Sequence, residues 1–246
     1  MRTPILAAAF AVLALPGQAL DIGKMTDEER SIFREEVRAY LLDNPEVIME
    51  AVAVLEQRQA QGQAQQDLTL VQVNADDIFD DGYSWVGGNP DGDITLVEFV
   101  DYRCGYCRRA HDEVKELVES DGNIRVIVKE FPILGEASMQ SSRFAIAVKQ
   151  IAGADAYEAA NDALIRMRSD ANAVTLGKLA GTLGLDADAI LGHMDSADVS
   201  MEIQKTRELA QRLQISGTPT FVLQDDMLRG YLPLEQMRAL VDEKRG

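Results

Sequence analysis

The chain has 246 residues, with 41 Asp and Glu against 24 Lys and Arg, so its formal net charge at pH 7 is −17. Such a charge excludes nucleic acid and anionic membrane surfaces as favoured partners, because both bind clustered Lys and Arg. We therefore expect no nucleic-acid partner, and the acidic surface mainly serves solubility.

The first 19 residues have the pattern of a signal peptide. Arg2 precedes an apolar stretch over residues 5–15, and the small residues Gly17 and Ala19 follow at the positions that signal peptidase inspects. The stretch is too short to anchor the chain across a bilayer of about 30 Å. We expect cleavage after Ala19 and export of the mature protein to the periplasm.

Two helices are predicted next, over residues 26–66. Thr26 and Glu29 form a capping box, and apolar residues follow at helical spacing before a second helix begins near Pro45 and frays near Gly62. These helices, within an extension over residues 20–75, either pack on the rest of the chain or associate between chains. The acidic segment 74–81 has no periodicity and is interpreted as a linker.

From Tyr83 to the end, strand and helix patterns alternate in an α/β order, with a long helical segment over about residues 137–213. The predicted strands are 83–86, 94–100, 124–129, 220–223 and 227–231, and the flanking helices are 104–120 and 234–244. The strand–helix–strand order around helix 104–120 implies a parallel pair with a right-handed crossover.

The two cysteines, Cys104 and Cys107, stand at the predicted start of helix 104–120. Unpaired N–H groups and the positive end of the helix dipole favour a thiolate there, so Cys104 is the predicted nucleophile. Cys107 lies one turn deeper and can resolve a mixed disulfide with a client. A loop this short stabilises a fold little, which favours redox chemistry over a permanently closed structural disulfide. Three nearby arginines are expected on the solvated helix surface: Arg103, Arg108 and Arg109.

This layout resembles the DsbA-like thiol-disulfide oxidoreductases, which have a thioredoxin fold with an inserted helical domain. The resemblance covers about residues 83–246 and rests on Cys104-Gly105-Tyr106-Cys107, on Phe131-Pro132-Ile133-Leu134-Gly135 and on Thr218-Pro219. The N-terminal helices are similar to the extension of the copper-sensitivity suppressor (ScsC-like) branch, some members of which oligomerise. Gly105-Tyr106 is similar to the pair in periplasmic disulfide isomerases and differs from the Pro-His pair of strong oxidants.

The resemblance implies roles for further residues. Pro219 is expected to be cis and to face Cys104, while Thr218 exposes backbone groups that can pair with an extended client. Tyr106 could contact clients or cover the sulfur. Glu98, in the central strand, takes the position of the family's buried acid and could relay the proton of Cys107. The alternative places Glu98 at an exposed strand position.

A different class of function remains open, in which Cys104, Cys107 and His111 bind copper or zinc. Three ligands are few for a closed zinc site, so His111 is expected to be a surface or packing residue. We expect no metal and no organic cofactor, the Cys104–Cys107 disulfide being the redox group.

Expected partners are unfolded or misoxidised proteins and a membrane redox protein of the DsbB or DsbD kind. Whether the protein oxidises, isomerises or reduces client disulfides stays open. The helices at 26–66 favour an oligomeric isomerase or reductase.

Overall fold

The order of helices and strands follows the sequence pattern closely. A computed structural model of the protein describes residues 22–246, so the predicted signal peptide lies outside the described residues. The strands are β1 (Trp85–Gly88), β2 (Ile94–Val100), β3 (Ile124–Glu130), β4 (Thr220–Leu223) and β5 (Asp226–Arg229). The helices are α1 (Asp27–Asp43), α2 (Glu46–Val73), α3 (Ala75–Phe79), α4 (Gly105–Asp121), α5 (Glu136–Ala152), α6 (Ala154–Arg166), α7 (Ala173–Thr182), α8 (Ala187–His193), α9 (Ala197–Arg212) and α10 (Leu234–Arg245).

The chain divides into two compact units, with the boundary between Gln59 and Ala60 inside α2. In the first unit, the predicted capping box is confirmed, because Thr26 and Glu29 exchange side-chain and backbone hydrogen bonds at the start of α1. No residue between 23 and 59 is buried. This unit therefore carries apolar side chains on its surface, among them Ile32, Phe33, Val37, Tyr40, Leu42, Ile48, Met49, Val52, Val54 and Leu55.

The second compact unit begins at Ala60, inside the extension that the sequence predicts over residues 20–75. Helix α2 continues past Gly62 to Val73 without fraying, and Val71 is buried. The segment interpreted as a linker contains α3, whose Ile78 is fully buried in the core beneath the sheet. The sequence pattern missed this packing because a single apolar anchor in a short acidic helix produces no periodicity.

The sheet has five strands within residues 22–246, in the order β1-β3-β2-β4-β5. The predicted parallel pair is confirmed between β2 and β3, whereas β4 lies antiparallel on the other side of β2. Alternate residues of β2 enter two cores: Leu96 and Val100 pack with α4 and the helical segment, and Val97 and Phe99 pack with the end of α2, α3 and α9. Both faces of β2 are therefore covered.

The helical segment predicted over 137–213 is confirmed as α5 to α9, which run from Glu136 to Arg212 between β3 and β4. Most of these helices bury apolar side chains in the same core as the cysteines. Within residues 22–246, no helix is both long and apolar enough to cross a membrane.

A buried ion pair attaches α3 and the turn after it to the sheet. The Lys129 ammonium group on β3 lies 2.5 Å from the Asp81 carboxylate and donates to the carbonyl oxygen of Asp77 at 2.8 Å. The side chains of Lys129 and Asp81 are 0% and 6% exposed. Because a buried charge without its partner is strongly unfavourable, this pair connects residues 77–81 firmly to β3.

We predict that Lys129→Met lowers the free energy of unfolding by about 3–5 kcal/mol, because it leaves the Asp81 carboxylate buried without its partner. Urea denaturation followed by circular dichroism measures the loss. The matched control is Lys115→Met, which removes a half-exposed lysine 4.0 Å from Glu119 and should change stability by less than about 1 kcal/mol. Equal losses in the two variants would contradict the importance of the buried pair.

Candidate active site at the start of helix α4

The two cysteines lie where β2 passes into α4, as the sequence predicts. Cys104 is the residue that caps α4, with extended backbone angles of φ −73° and ψ 123°. Both cysteines are free thiols in the structure, with Cys104 8% exposed and Cys107 completely buried on the inner face of the helix. The arrangement gives the two sulfurs different access to a client.

Hydrogen bonds favour a thiolate on Cys104. The thiol of Cys107 lowers the pKa of Cys104 to about 5, and the Thr218 side chain and the backbone N–H groups of Cys107 and Tyr106 act in the same direction against the effect of burial. The pKa of Cys107 is raised by its hydrogen bond to Cys104, by burial and by the negative charge of Glu98. These shifts agree with the prediction that Cys104 is the nucleophile and that Cys107 is the thiol that keeps its proton longer.

The loop before β4 completes the site from the other end of the chain. The Thr218-Pro219 peptide bond is cis, as expected from the resemblance. The Cys104 Sγ lies 3.1 Å from the carbonyl oxygen of Thr218, to which it donates when it is protonated. The structure therefore brings both predicted client-binding residues to the nucleophile, and their role in client binding stays a prediction.

Glu98 lies beneath the dithiol, and the alternative of an exposed strand position is wrong. Its side chain faces the core that contains α4, and the residue is only 6% exposed. Burial, followed by the charges of Glu130 and Cys104, raises the pKa of Glu98 to about 8. A carboxyl group with this pKa can exchange a proton with a thiol near neutral pH.

A cavity of about 180 Å³ extends from Glu98 between α4, α6 and the sheet. Its polar lining consists of Glu98, His111, Lys115, Glu119, Glu158, Asn161 and Asp162. A polar cavity of this size is large enough for water molecules. Glu98 is therefore covered by the dithiol and the core around it. It nevertheless lines a cavity through which a proton can reach solvent.

Asp101 is a site residue that the sequence interpretation missed. Its carboxylate is fully buried and accepts hydrogen bonds from the backbone N–H groups of Arg103 at 2.8 Å, Ile133 at 2.8 Å and Leu134 at 3.0 Å. It thereby fixes the Cys loop against the loop after β3. An aspartate three residues before a helix cap, directly after a strand, is a turn signal that could have identified part of this role.

The expectation of a solvated surface is wrong for two of the three arginines. The Arg103 guanidinium donates to the carbonyl oxygen of Ser169 at 2.9 Å, and that of Arg108 donates to the carbonyl oxygen of Ile165 at 2.8 Å. Both arginines satisfy carbonyl groups at and after the C-terminal end of α6, so they attach the helical segment to the cysteine helix. Arg109 is exposed and lies 4.4 Å from the centre of the Tyr231 ring.

Tyr106 forms part of an aromatic surface beside the dithiol. The residue is 61% exposed, and its ring stacks on Tyr231 with 6.3 Å between the ring centres. Tyr231 is held in turn by a hydrogen bond to Glu113 at 2.6 Å. This placement leaves one face of Tyr106 available to a client.

His111 pairs with a carboxylate on α6, whereas the predicted metal site would require it to lie with the two cysteines. Its Nε2 lies 3.0 Å from the Asp162 carboxylate on α6. Within the part of the chain that the structure describes, no three His, Cys, Asp or Glu side chains come together in a group that could hold a metal ion. The hypothesis of a copper or zinc site formed by the dithiol and His111 therefore gains no support from the geometry.

Comparison with known families gives two matches along the chain. Residues 95–242 match the family described as the DSBA-like thioredoxin domain. Residues 29–61 match the family described as the copper resistance protein ScsC N-terminal domain. The first match contains the cysteines, the helical segment and the Thr218-Pro219 loop, and the second contains α1 from residue 29 onward and the first half of α2.

Solved structures share the same architecture. A thioredoxin-like oxidoreductase from Silicibacter pomeroyi DSS-3 is 40% identical and covers 69% of this chain and 96% of its own length, with a TM-score of 0.65. The compact conformation of Proteus mirabilis ScsC is 26% identical and covers 88% of this chain and 98% of its own, also with a TM-score of 0.65.

A curated relative is much longer. Na(+)/H(+) antiporter NhaA 3 of Salinispora tropica is 26% identical over 156 residues, which are 63% of this chain and 24% of the antiporter. The chain thus spans about a quarter of the length of that relative.

We predict that the thiolate absorbance of the reduced protein at 240 nm titrates with a midpoint near pH 5. Cys107→Ala should raise the midpoint because it removes the main hydrogen bond to the Cys104 sulfur. An unfolded cysteine has a pKa of about 8.5, so the thiolate stabilises the reduced fold above that pH, and this contribution is lost as the pH falls through about 5.

The control for this titration is Cys104→Ser, which should show no absorbance change near pH 5. A wild-type midpoint above pH 8 would contradict thiolate stabilisation at the start of α4.

Proposed function

Because the chain belongs to the family of DSBA-like thioredoxin domains, we propose that it is an exported thiol-disulfide oxidoreductase that acts on protein clients. The observation that carries the proposal is the asymmetry of the dithiol. Cys104 has a lowered pKa and lies 3.1 Å from the Thr218 carbonyl oxygen, whereas Cys107 is fully buried and protonated. One sulfur can attack a client, and the other can complete the exchange.

The reaction proceeds in two steps when a client disulfide is reduced. The Cys104 thiolate attacks one client sulfur, a mixed disulfide forms, and the other client sulfur leaves as a thiolate. The Cys107 thiol then loses its proton and attacks the Cys104 sulfur, which forms the Cys104–Cys107 disulfide and releases the second client thiolate. Two electrons pass from the dithiol to the client, and client oxidation is the same sequence in reverse.

Glu98 takes the proton of Cys107 in the second step. Its carboxyl group interacts electrostatically with both cysteines, and its pKa is raised to about 8. The cavity lined by His111 and Asp162 then provides the path for that proton to solvent. Buried carboxyl groups with raised pKa values are effective proton acceptors near neutral pH.

Clients bind along the Thr218-Pro219 loop and the exposed face of Tyr106. The backbone of Thr218 lies beside the nucleophile, so an extended client segment can pair with it as a short added strand. The Gly105-Tyr106 pair supports isomerase or reductase work rather than strong oxidation. A membrane protein of the DsbB or DsbD kind would restore the redox state of the dithiol in the periplasm.

The first unit serves self-association. Its surface exposes ten large apolar side chains between residues 32 and 55, and residues 29–61 match the ScsC N-terminal domain family. Exposed apolar residues at this density are typical of a protein–protein interface. An oligomer would place several dithiols around one client, which suits disulfide isomerisation.

We predict that the protein reduces insulin and reactivates scrambled ribonuclease. Cys104→Ser should abolish both activities, because no nucleophile remains. Cys107→Ser should stop turnover after one attack and accumulate a mixed disulfide with the client, visible by mass spectrometry. Circular dichroism of both variants controls for folding. A wild-type protein that shows no turnover in either assay but binds copper or zinc stoichiometrically would overturn the proposal in favour of metal binding.

We also predict that residues 20–246 form an oligomer in light scattering and that residues 60–246 are monomeric. Phe33→Glu with Tyr40→Glu should weaken the association, because both substitutions place charge among the exposed apolar residues of α1. The matched control is Val174→Glu on α7, a 66% exposed position in the second unit, which should leave the mass unchanged. A monomer for both lengths would contradict self-association.

A further inference from the structure

Glu130, the last residue of β3, is a second buried carboxyl group on the same face of the sheet as Glu98. In the parallel pair, Glu98 lies beside Val128, and Val100 lies beside Glu130. Side chains two residues apart in a strand share a face, so both carboxyl groups point toward the core beneath the dithiol. Each of the two residues is 6% exposed. The sequence analysis assigned no role to Glu130.

The Glu130 carboxyl group joins three parts of the second unit. Its Oε1 accepts hydrogen bonds from the hydroxyl groups of Tyr102 and Tyr157, each at 2.6 Å. Asn161 donates to the Tyr102 hydroxyl at 3.0 Å. Tyr102 lies two residues before Cys104, while Tyr157 and Asn161 lie on α6. Glu130 therefore holds the cysteine loop and the helical segment at the end of β3.

The second oxygen of this carboxyl group is suited to carry a proton. The Glu130 Oε2 is buried and has no hydrogen-bond partner among the described residues. Burying a charged carboxylate oxygen without a hydrogen bond is energetically unfavourable, and protonation of the carboxyl group reduces that cost. Burial raises the pKa of Glu130 to about 7, against the hydroxyl groups of Tyr102, Tyr157 and Ser142 and the charge of Lys149. The group can thus change charge near neutral pH.

The charged surroundings of the two carboxyl groups determine how they affect each other. The titratable groups that act on Glu130 are Tyr102 in the cysteine loop, Lys149 on α5 and Tyr157 on α6. The charge of Glu130 acts in turn on Glu98 on β2. Lys149 is already paired with Glu202 at 2.7 Å. The charges of Glu130 and Cys104 act on Glu98. The cavity beside Glu98 is lined by five further titratable side chains: His111, Lys115, Glu119, Glu158 and Asp162.

We propose that Glu130 is a positioning residue for the dithiol reaction: its carboxyl group fixes the cysteine loop against α6, and its charge controls when Glu98 can receive the proton of Cys107. The proposal rests on the proposed function. As the pH rises through neutrality, ionisation of Glu130 places a negative charge on the face of the sheet that holds Glu98, and this charge makes Glu98 keep its own proton to higher pH. Glu98 is then the stronger base when it ionises, which suits it to deprotonate a thiol.

The test uses stopped-flow reaction of the reduced mature protein with 5,5′-dithiobis(2-nitrobenzoate), a chromogenic aromatic disulfide. The first release of thionitrobenzoate reports attack by Cys104, and the second reports resolution by Cys107. Glu130→Gln keeps an oxygen acceptor for both tyrosines but removes the charge. We expect the pH midpoint of the second phase to fall by about one unit and its plateau rate to drop several-fold, with the first phase unchanged within about twofold.

The matched control is Glu136→Gln, which removes one charge at an exposed position in the first turn of α5 and should leave both phases as in the wild type. A second-phase midpoint in Glu130→Gln equal to that of the wild type would overturn the proposal. A Glu98→Gln variant that keeps the wild-type midpoint would overturn it as well, because Glu98 would not be the proton acceptor. Failure of the proposed function would be recognised separately, by the absence of both phases in the wild-type protein.

A second measurement decides the question if Glu130→Gln does not fold. Carbon-13 labelling of glutamate carboxyl groups in the reduced wild-type protein allows the titrations of Glu98 and Glu130 to be followed by NMR. Supporting data would be two inflections in the Glu98 curve, one of them at the pH where Glu130 ionises. A single Glu98 inflection that is independent of Glu130 would overturn the proposal.

Discussion

Antiparallel pairing of β4 with β2 is the constraint on which the active site depends. The register places Phe99 beside Thr220, so the C-terminal end of β2 and the N-terminal end of β4 lie side by side at the same end of the sheet. The cysteine helix begins just beyond one strand, and Pro219 immediately precedes the other. Two segments separated by more than a hundred residues thereby meet at the Cys104 sulfur. Neither segment alone could form the site, because Cys104 and the Thr218 carbonyl oxygen come from distant parts of the chain.

The sheet separates two kinds of buried charge. Lys129 and Glu130 are neighbours at the end of β3, and their side chains point to opposite faces. Lys129 is neutralised by Asp81, which makes that face a structural anchor. Glu130 accepts hydrogen bonds from two tyrosine hydroxyl groups, and the cation that acts on it, Lys149, is paired with Glu202. Burial without a dedicated opposite charge raises the pKa of a carboxyl group, so the proton exchange that we propose lies on the dithiol side of the sheet.

The two units differ in whether they bury their apolar side chains. The second unit buries its apolar side chains in two cores on either side of the sheet. The first unit, within residues 23–59, buries none and exposes a dense set of apolar side chains along α1 and α2. A helix with this surface gains most of its stability from packing rather than from its own hydrogen bonds. The division at residue 60 therefore separates a unit with buried cores from one whose apolar side chains are exposed, and self-association of the latter is the proposal made above.

The sequence alone determined the features that depend on local chemistry. Short apolar runs, helical spacing and turn residues predicted the strands and helices of the second unit, and the spacing of Cys104 and Cys107 after a strand predicted the redox pair. The resemblance to a known family added the cis Thr218-Pro219 bond and the burial of Glu98, and the structure confirms both. The helices and strands could be predicted because each depends on residues that are close together in the chain, whereas the roles of the site residues stay predictions.

Tertiary structure alone decided which distant groups meet. Asp101 binds backbone N–H groups of a loop 32 residues away, and Arg103 and Arg108 bind carbonyl groups near the end of α6. Residues 74–81 contribute Ile78 to a core and Asp81 to a buried ion pair rather than forming a linker, and Glu130 lies on the same face of the sheet as Glu98 on the adjacent strand. A hydrogen bond or charge interaction has no sequence periodicity, because its partner is set by the packing of helices on the sheet. Such contacts become visible only when the register of the strands is known.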